Sequence, residues 1–389
     1  MIEFCPVCKS GDHTSIYRTI APVFFLVPDG RQIANDDFHE LDIHRCNQCG
    51  HLFNRSYSTE LSERLYGDVP LTNVPVHPSM HARFDKLVDW LPDEAICKKK
   101  VVEIGGGGGH LARVLARSAS QVVLFEPCTQ LTADMLPEPN IHLVSDIFPN
   151  LDPIVADFIV CRNVLEHVAN PFGMMLDIHA ALSPKGMVYL EVPDVSYIVA
   201  NNAFPDLHLQ HAQYFSRENF IALAASAGLE AVKILDIKNG HDFGVLFRNA
   251  EPIQFSSPAN ETTYTKSIEE GLKLKVAQSR RRMSEMEGKV AFYGATPHCQ
   301  VYFNALAGAG DIACVFDDSP LNQGYSLYDQ TRQVPVRSAL KKDILDQDTI
   351  VITAYLHDTV IAKRLKDWKF KGQIFTIRPA PSEPDVPSI

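Results

Sequence analysis

The run Val101-Val102-Glu103-Ile104, followed at once by the five glycines Gly105 to Gly109, constrains this chain more than any other feature. Three of those first four residues are apolar and β-branched, which suits a short buried strand. Glycine turns sharply at positive φ and leaves space against the backbone. His110-Leu111-Ala112-Arg113-Val114-Leu115 then begins a helix. A strand, a glycine turn and a helix open a doubly wound α/β domain that takes a nucleotide at the turn.

The segments that follow fit that scheme. Gln121 to Phe125 reads as a second apolar strand ending in Glu126, an acid able to accept hydrogen bonds from both hydroxyls of a ribose. Glycines with an acid about 20 residues later also suit NAD, so this pair alone does not choose the cofactor. Ile141 to Phe148 reads as a third strand with Asp146 and Ile147 near its end, where an acid meets an adenine amino group. Ala156 to Asn163 is a fourth strand, running into Val164-Leu165-Glu166-His167-Val168. Leu182 to Pro193 is a turn feeding a fifth.

In this order, and in the Glu-x-Gly-x-Gly-x-Gly run from Glu103 to Gly109, the chain resembles class I S-adenosylmethionine-dependent methyltransferases. The resemblance implies a cofactor site made of Glu103, Gly105, Gly107, Gly109, Glu126, Asp146, Ile147 and Asn163. Glu166-His167 then reads as mainly architectural, with the Arg162-Asn163 turn closer to cofactor.

Four of the nine cysteines form two pairs, Cys5-Pro6-Val7-Cys8 and Cys46-Asn47-Gln48-Cys49. Each two-residue gap aims two thiolates at one ion, and two such knuckles close a tetrahedral structural zinc site. His13, His39, His44 and His51 are spare residues beside it, read as polar loop or surface groups. Val23 to Val27 is expected to be a strand between the knuckles.

The start Met-Ile-Glu-Phe-Cys lacks the basic and apolar segments of a secretory leader. The early apolar run Ala21 to Val27 is far shorter than the ~20 residues that span a bilayer. The expectation is a cytoplasmic protein with reduced thiols and no membrane partner. A formal charge of −11 disfavours nucleic acid. Lys98-Lys99-Lys100 and Arg280-Arg281-Arg282 read as solvated edges.

The stretch His208-Leu209-Gln210-His211-Ala212-Gln213-Tyr214-Phe215-Ser216 precedes a helix that Ser216 is placed to cap. A neutral imidazole there is suited to act as a base toward a carbon acid beside a ketone; a polar loop with one structural histidine is the alternative. Over nearly its whole length the chain resembles the zinc-domain-bearing C-methyltransferases of nucleotide-linked deoxysugars. The resemblance rests on the paired cysteines, the glycine loop, His-x-x-Tyr-Phe-Ser at His211 to Ser216, and the C-terminal segment. It implies His211 as the base beside a 4-keto group and Tyr214 in the pocket wall. Gln210 stands where that family has Glu. Tyr66 is the nearest match to an active-site tyrosine ahead of the central domain. Lys238 to Val245 lacks the family's Ser and Arg, which points to a different acceptor, with His241 as a replacement contact.

Residues 251–263 read as a linker rich in Ser, Pro, Asn and Thr, and Lys266 to Glu287 as a polar helix. A second α/β unit follows: strand Val290 to Tyr293, turn Gly294-Ala295-Thr296-Pro297, helix Val301 to Leu306, and strands Ile312 to Phe316 and Thr349 to Ala354. With a single glycine, its turn does not suit independent NAD binding. The resemblance implies that this unit encloses the nucleotide-sugar; His298, just after its turn, is a candidate contact to the diphosphate, a surface residue being the alternative, and His208 is a further candidate substrate contact.

The expected architecture is α/β: a zinc module over 1–56, a methyltransferase domain with a helical lead-in over 57–250, a linker and helix over 251–288, and a second Rossmann-like domain over 289–389. The expected function is C-methylation of a nucleotide-linked keto-sugar. Alternatives are O- or N-methylation of a related sugar, an RNA or protein methyltransferase using the zinc module for recognition, and a non-catalytic scaffold.

Overall fold

The computed structural model describes residues 1–66, 78–149, 154–256 and 265–378. The chain packs as two units. One contains Met1–Thr14, His44–Val195 and Gln210–Glu261; the other contains Ser15–Ile43, Ser196–Leu209 and Thr262–Ile389.

The first unit is built on a seven-stranded sheet. Its strands are β1 (Lys100–Ile104), β2 (Gln121–Phe125), β3 (Ile141–Val144), β4 (Ala156–Arg162), β5 (Leu182–Pro193), β6 (Leu229–Ile237) and β7 (Asp242–Asn249). Their spatial order is β3-β2-β1-β4-β5-β7-β6. The first five are mutually parallel, and β7 runs antiparallel to both β5 and β6. This is the class I methyltransferase order. The chain reverses its winding between β1 and β4, so a crevice opens beyond their carboxyl ends.

Alternation along the strands explains why the sheet is covered on both faces. Val102, Val123, Ile159, Cys161, Val188 and Leu190 belong to one apolar core. Their neighbours Val101, Leu124, Phe158, Val160 and Tyr189 belong to another. Successive side chains point to opposite faces, so a strand buried on both sides reads as a continuous apolar run. The first core also contains Cys5, Cys46, Cys49, Phe53 and Phe215, so the cysteine module packs into the same interior. Ser216 caps the helix Arg217–Ser226 as expected, its side chain accepting from the Asn219 N–H. The third strand stops at Val144, short of the expected Phe148.

In the second unit, Gln373–Thr376, Thr349–Ile352, Val290–Tyr293, Ile312–Asp317 and Gln333–Ser338 form a parallel sheet in that order. Tyr325–Tyr328 and Val27–Pro28 extend it in antiparallel fashion. The helix Pro297–Leu306 follows the first strand, capped by Thr296, and the polar helix spans Thr265–Ser284.

Two expectations need correction. Val23 to Leu26 is a bend, and Val27–Pro28 alone pairs. Pro22 and Pro28 bracket the run and donate nothing to a ladder. The amides between them are used elsewhere: Val23 N–H donates to the Asp37 carbonyl, and Phe24 N–H to the Tyr328 hydroxyl. Nor do the packing units follow the boundaries at 56 and 289. Ser15–Ile43 and Ser196–Leu209 pack with the C-terminal residues, while the cysteine knuckles pack with the methyltransferase sheet. Among the described residues no helix is long and apolar enough to cross a membrane.

Candidate active site

The glycine loop leaves β1 at Ile104 with Gly105, Gly107 and Gly109 at φ +70°, +55° and +70°. A Cβ added at Gly105 would lie 2.5 Å from Val164 Cγ2, at Gly106 2.2 Å from Leu124 Cδ1, and at Gly109 2.5 Å from Leu136 Cδ2. At Gly107 it would meet nothing within 4 Å. The loop is therefore packed from below and open at one point. Glu126 holds that point: its carboxylate accepts from Gly107 N–H at 2.7 Å and from Cys128 N–H at 2.9 Å.

Glu103 is buried beneath the loop, and its Oε2 has no hydrogen-bond partner. Burial pushes its carboxyl up to about 7, against the pull of the Arg162 charge. An orphaned carboxyl oxygen below an open glycine loop suits a ligand carrying an ammonium or hydroxyl group. Glu103, the glycines and Glu126 thus fit S-adenosylmethionine. Asn163 has a left-handed backbone (φ +52°), and its N–H donates to the Glu191 carbonyl. Asp146 accepts from the Ile147 N–H at 2.8 Å, and Ile147 is 66% exposed.

Sequence reasoning missed a buried ionic network at the carboxyl ends of β4 and β5. Arg162 donates twice to Glu191, at 2.8 and 2.9 Å, and the Tyr189 hydroxyl donates to the same carboxylate at 3.0 Å. Arg83 lies 3.6 Å from it, and Arg162 sits over the Phe84 ring. Burial alone would raise the Glu191 carboxyl; the Arg162 charge reverses this and holds it low. The available signal was an acid inside an apolar strand, Leu190-Glu191-Val192, which a buried strand tolerates only with a partner.

The loop from Gln210 to Phe215 lies beyond the same carboxyl ends. Phe215 bridges Asp194, just past β5, and accepts from Val195 N–H at 2.9 Å. Ala212 N–H donates to the Glu166 carbonyl, just past β4, at 2.7 Å. Tyr214 pairs with Leu52 in a short antiparallel ladder. Between these anchors His211 is buried. Its ring is edge-on to Tyr214 (centroids 5.6 Å apart) and 5.1 Å from the ring of His167. Gln210 contributes its backbone, the carbonyl accepting from His167 Nδ1 at 2.7 Å. Glu166, His167 and His211 each offer a ligand atom within 4.8 Å of the others. Burial pushes Glu166 up to about 8 and His167 down to about 4.

The other sequence candidates sit apart from this cluster or engage protein groups. His241 Nδ1 meets the Asp242 carboxylate, which Lys238 also pairs. Burial opposes the ionised form of Asp242, but these neighbours hold it low. His208 and His298 belong to the second unit. There His208 is edge-on to Phe25, while His298 Nε2 lies 2.8 Å from Asp206, which also accepts from the Tyr355 hydroxyl. The side chain of Tyr66 lies outside the described residues.

The four knuckle sulfurs converge. Cys5 and Cys49 Sγ are 3.6 Å apart, Cys8 and Cys46 Sγ 3.4 Å, and all four lie within 4.8 Å of one another. A tetrahedral ion with bonds of about 2.3 Å to sulfur requires edges of about 3.8 Å. The set thus fits a closed four-cysteine site. Two of the spare histidines pair together, His13 Nδ1 with His44 Nδ1 at 2.8 Å, and a third, His51, pairs with Gln213 at 2.9 Å. The Asn219 amide donates to the Cys49 carbonyl at 3.0 Å, tying the second knuckle to the helix after the His211 loop.

Comparison with known proteins gives one family match and several distant relatives. A family profile described as a methyltransferase domain matches residues 78–234. The ubiquinone biosynthesis O-methyltransferase of Ralstonia nicotianae is 23% identical over 172 residues, covering 38% of this chain and 70% of that protein. Among solved structures, an S-adenosylmethionine-dependent methyltransferase from Mesorhizobium loti is 14% identical with a TM-score of 0.38, covering 46% of this chain and all of that one. Magnesium protoporphyrin IX methyltransferase from Synechocystis PCC 6803, with bound S-adenosylhomocysteine, is 13% identical with a TM-score of 0.38, covering 46% and 90%. With the sheet order and the open glycine loop, the family match establishes that this chain carries a methyltransferase domain and is an S-adenosylmethionine-dependent enzyme.

Proposed function

We propose that the enzyme methylates carbon on a nucleotide-linked keto-sugar. The observation that carries this reading is His211: a buried imidazole beside a tyrosine, held beyond the carboxyl ends of β4 and β5. Bound S-adenosylmethionine supplies an electrophilic methyl carbon on a sulfonium. Its holders are Glu103, Gly105, Gly107, Gly109 and Glu126, with Asp146, Ile147 and Asn163 at the rim.

His211 takes the proton from the carbon next to the ketone. The C–H electron pair moves into an enolate, whose carbon would take the methyl from bound S-adenosylmethionine, with the S–CH3 electron pair staying on sulfur as the S-adenosylhomocysteine thioether. Tyr214 lines the acceptor space and orients the imidazole. A general base of this kind contributes about 10²- to 10⁴-fold in rate, and alignment of the two reactants contributes the larger share. His241, which shares a unit with His211, is assigned to an acceptor contact. The four-cysteine cluster holds structural zinc; four thiolates leave that ion no open position. The cell compartment we assign is the cytoplasm.

The test is turnover in heavy water with a panel of nucleotide-linked keto and non-keto sugars, followed by mass spectrometry. Methyl gain that requires the ketone, with deuterium entering beside it, supports the reading. Methyl gain on a non-keto sugar refutes carbon chemistry and favours a second reading, methyl transfer to a hydroxyl; the relative from Ralstonia is itself named an O-methyltransferase.

A further inference from the structure

The Glu166-His167 turn does more than follow a strand. It grips the backbone on both sides of His211. Ala212 N–H donates to the Glu166 carbonyl, and the Gln210 carbonyl accepts from His167 Nδ1, each at 2.7 Å. The Tyr57 hydroxyl pins the turn from behind by donating to the His167 carbonyl at 2.7 Å. The Glu166 carboxyl is 2% exposed, lies within 4.8 Å of a ring nitrogen of His211, and leaves its Oε2 without a hydrogen-bond partner. The side chain beside His211 in sequence, Gln210, is an amide and carries no charge. The nearby carboxyl, that of Glu166, comes from a different element and lies within 4.8 Å of a ring nitrogen.

We propose that Glu166 is the positioning residue for His211, orienting its ring and stabilising the imidazolium that forms when it takes a proton, with His167 as the rigid spacer between them. The inference rests on the reading of His211 as the base. The proton leaves carbon for a ring nitrogen of His211; Glu166 acts on the charge so formed and takes no part in bond making at carbon. The groups facing Glu166 from the packed elements are Asn163, which hydrogen-bonds it, Glu191 and Asp242, which oppose its ionisation, the buried thiol of Cys161, His167 and His211. Burial and those two acids oppose the ionisation of Glu166. A positive charge on His211 would work the other way, so the proposal expects protonation of one group to depend on the other.

The decisive measurement needs no substrate. The full-length protein, with isotope-labelled histidine, is titrated by NMR as wild type, Glu166→Gln and Glu166→Asp, with His211→Ala assigning the signal. Coupling predicts that the His211 midpoint falls by about half a pH unit or more in Glu166→Gln, and by less in Glu166→Asp. An unmoved midpoint in both variants overturns the proposal. Turnover gives the second readout: kcat falls about 10- to 100-fold in Glu166→Gln, with S-adenosylmethionine affinity unchanged. Loss of cofactor affinity in parallel with kcat would show a structural role and also overturn it. Full turnover by His211→Ala would remove His211 as the base; the NMR midpoints would still decide whether Glu166 and His211 are coupled.

Discussion

Gly105 and Gly107 both have positive φ, two residues apart in one loop, yet alanine should affect them in different ways. At Gly105 the new methyl would sit 2.5 Å from Val164 Cγ2 and force the β4 turn to move. Overpacking of this kind costs about 1–3 kcal/mol. A left-handed backbone adds about 1–2 kcal/mol for any residue with a Cβ. The combined cost of about 2–5 kcal/mol is a large part of the roughly 5–15 kcal/mol that stabilises a typical native protein. At Gly107 no atom lies within 4 Å, so only the backbone cost applies. The methyl there would instead enter the open space at Gly107, where we propose that the cofactor approaches the backbone.

Gly105→Ala is therefore a folding variant and Gly107→Ala a binding variant. Differential scanning calorimetry and isothermal titration with S-adenosylmethionine on the same preparations separate them. At about 2–4 °C per kcal/mol, Gly105→Ala should melt roughly 5–15 °C lower than wild type, and Gly107→Ala only a few degrees lower. Gly107→Ala should weaken cofactor binding about tenfold or more, which is about 1.4 kcal/mol. Wild-type affinity in Gly107→Ala would refute the placement of the cofactor against that loop. An unchanged melting temperature in Gly105→Ala would refute the packing argument.

Three further outcomes are expected. Arg162→Met should cost about 3–5 kcal/mol in urea unfolding, because it leaves Glu191 buried without its bidentate partner, whereas adding Glu191→Leu should recover much of the loss; equal destabilisation of single and double variants would contradict this. The purified protein should contain one zinc per chain, and Cys46→Ser should both release it and raise hydrogen exchange across residues 210–219, since Asn219 and Gln213 are bonded to the knuckle region; loss of metal with unchanged exchange would separate the module from the loop. Glu103 should make stability fall with pH. Its folded carboxyl titrates at about 7, above its unfolded value, so the native state holds the proton more tightly. Its contribution is complete below about pH 4.5 and lost as pH rises through 7, and Glu103→Gln should make the slope shallower in a pH series of thermal melts, leaving the part due to Glu166.

Some of this design was readable along the chain and some was not, for physical reasons. Short-range signals read well: the strand–glycine–helix run, the Ser216 cap and the paired knuckles each depend on residues a few positions apart. The strand expected at Val23 to Val27 failed because local apolarity outweighed the two prolines that bracket it. The packing of Ser15–Ile43 and Ser196–Leu209 with C-terminal residues had no local signal, since it depends on contacts between residues far apart in sequence. The same holds at the site. His211 and Tyr214 share one stretch, and their rings meet edge-on. Glu166, whose carboxyl completes the group, arrives from the turn after β4, and Arg162 meets Glu191 because β4 and β5 are adjacent in the sheet. Parallel pairing aligns the carboxyl ends of strands that are far apart in sequence, so charged residues one step past an apolar strand gather in one crevice. A charged residue at or near such an end, such as Arg162, Glu166 or Glu191, is therefore better read against the ends of the neighbouring strands than against its sequence neighbours. By that rule Glu166-His167 belongs with His211 before any distance is measured.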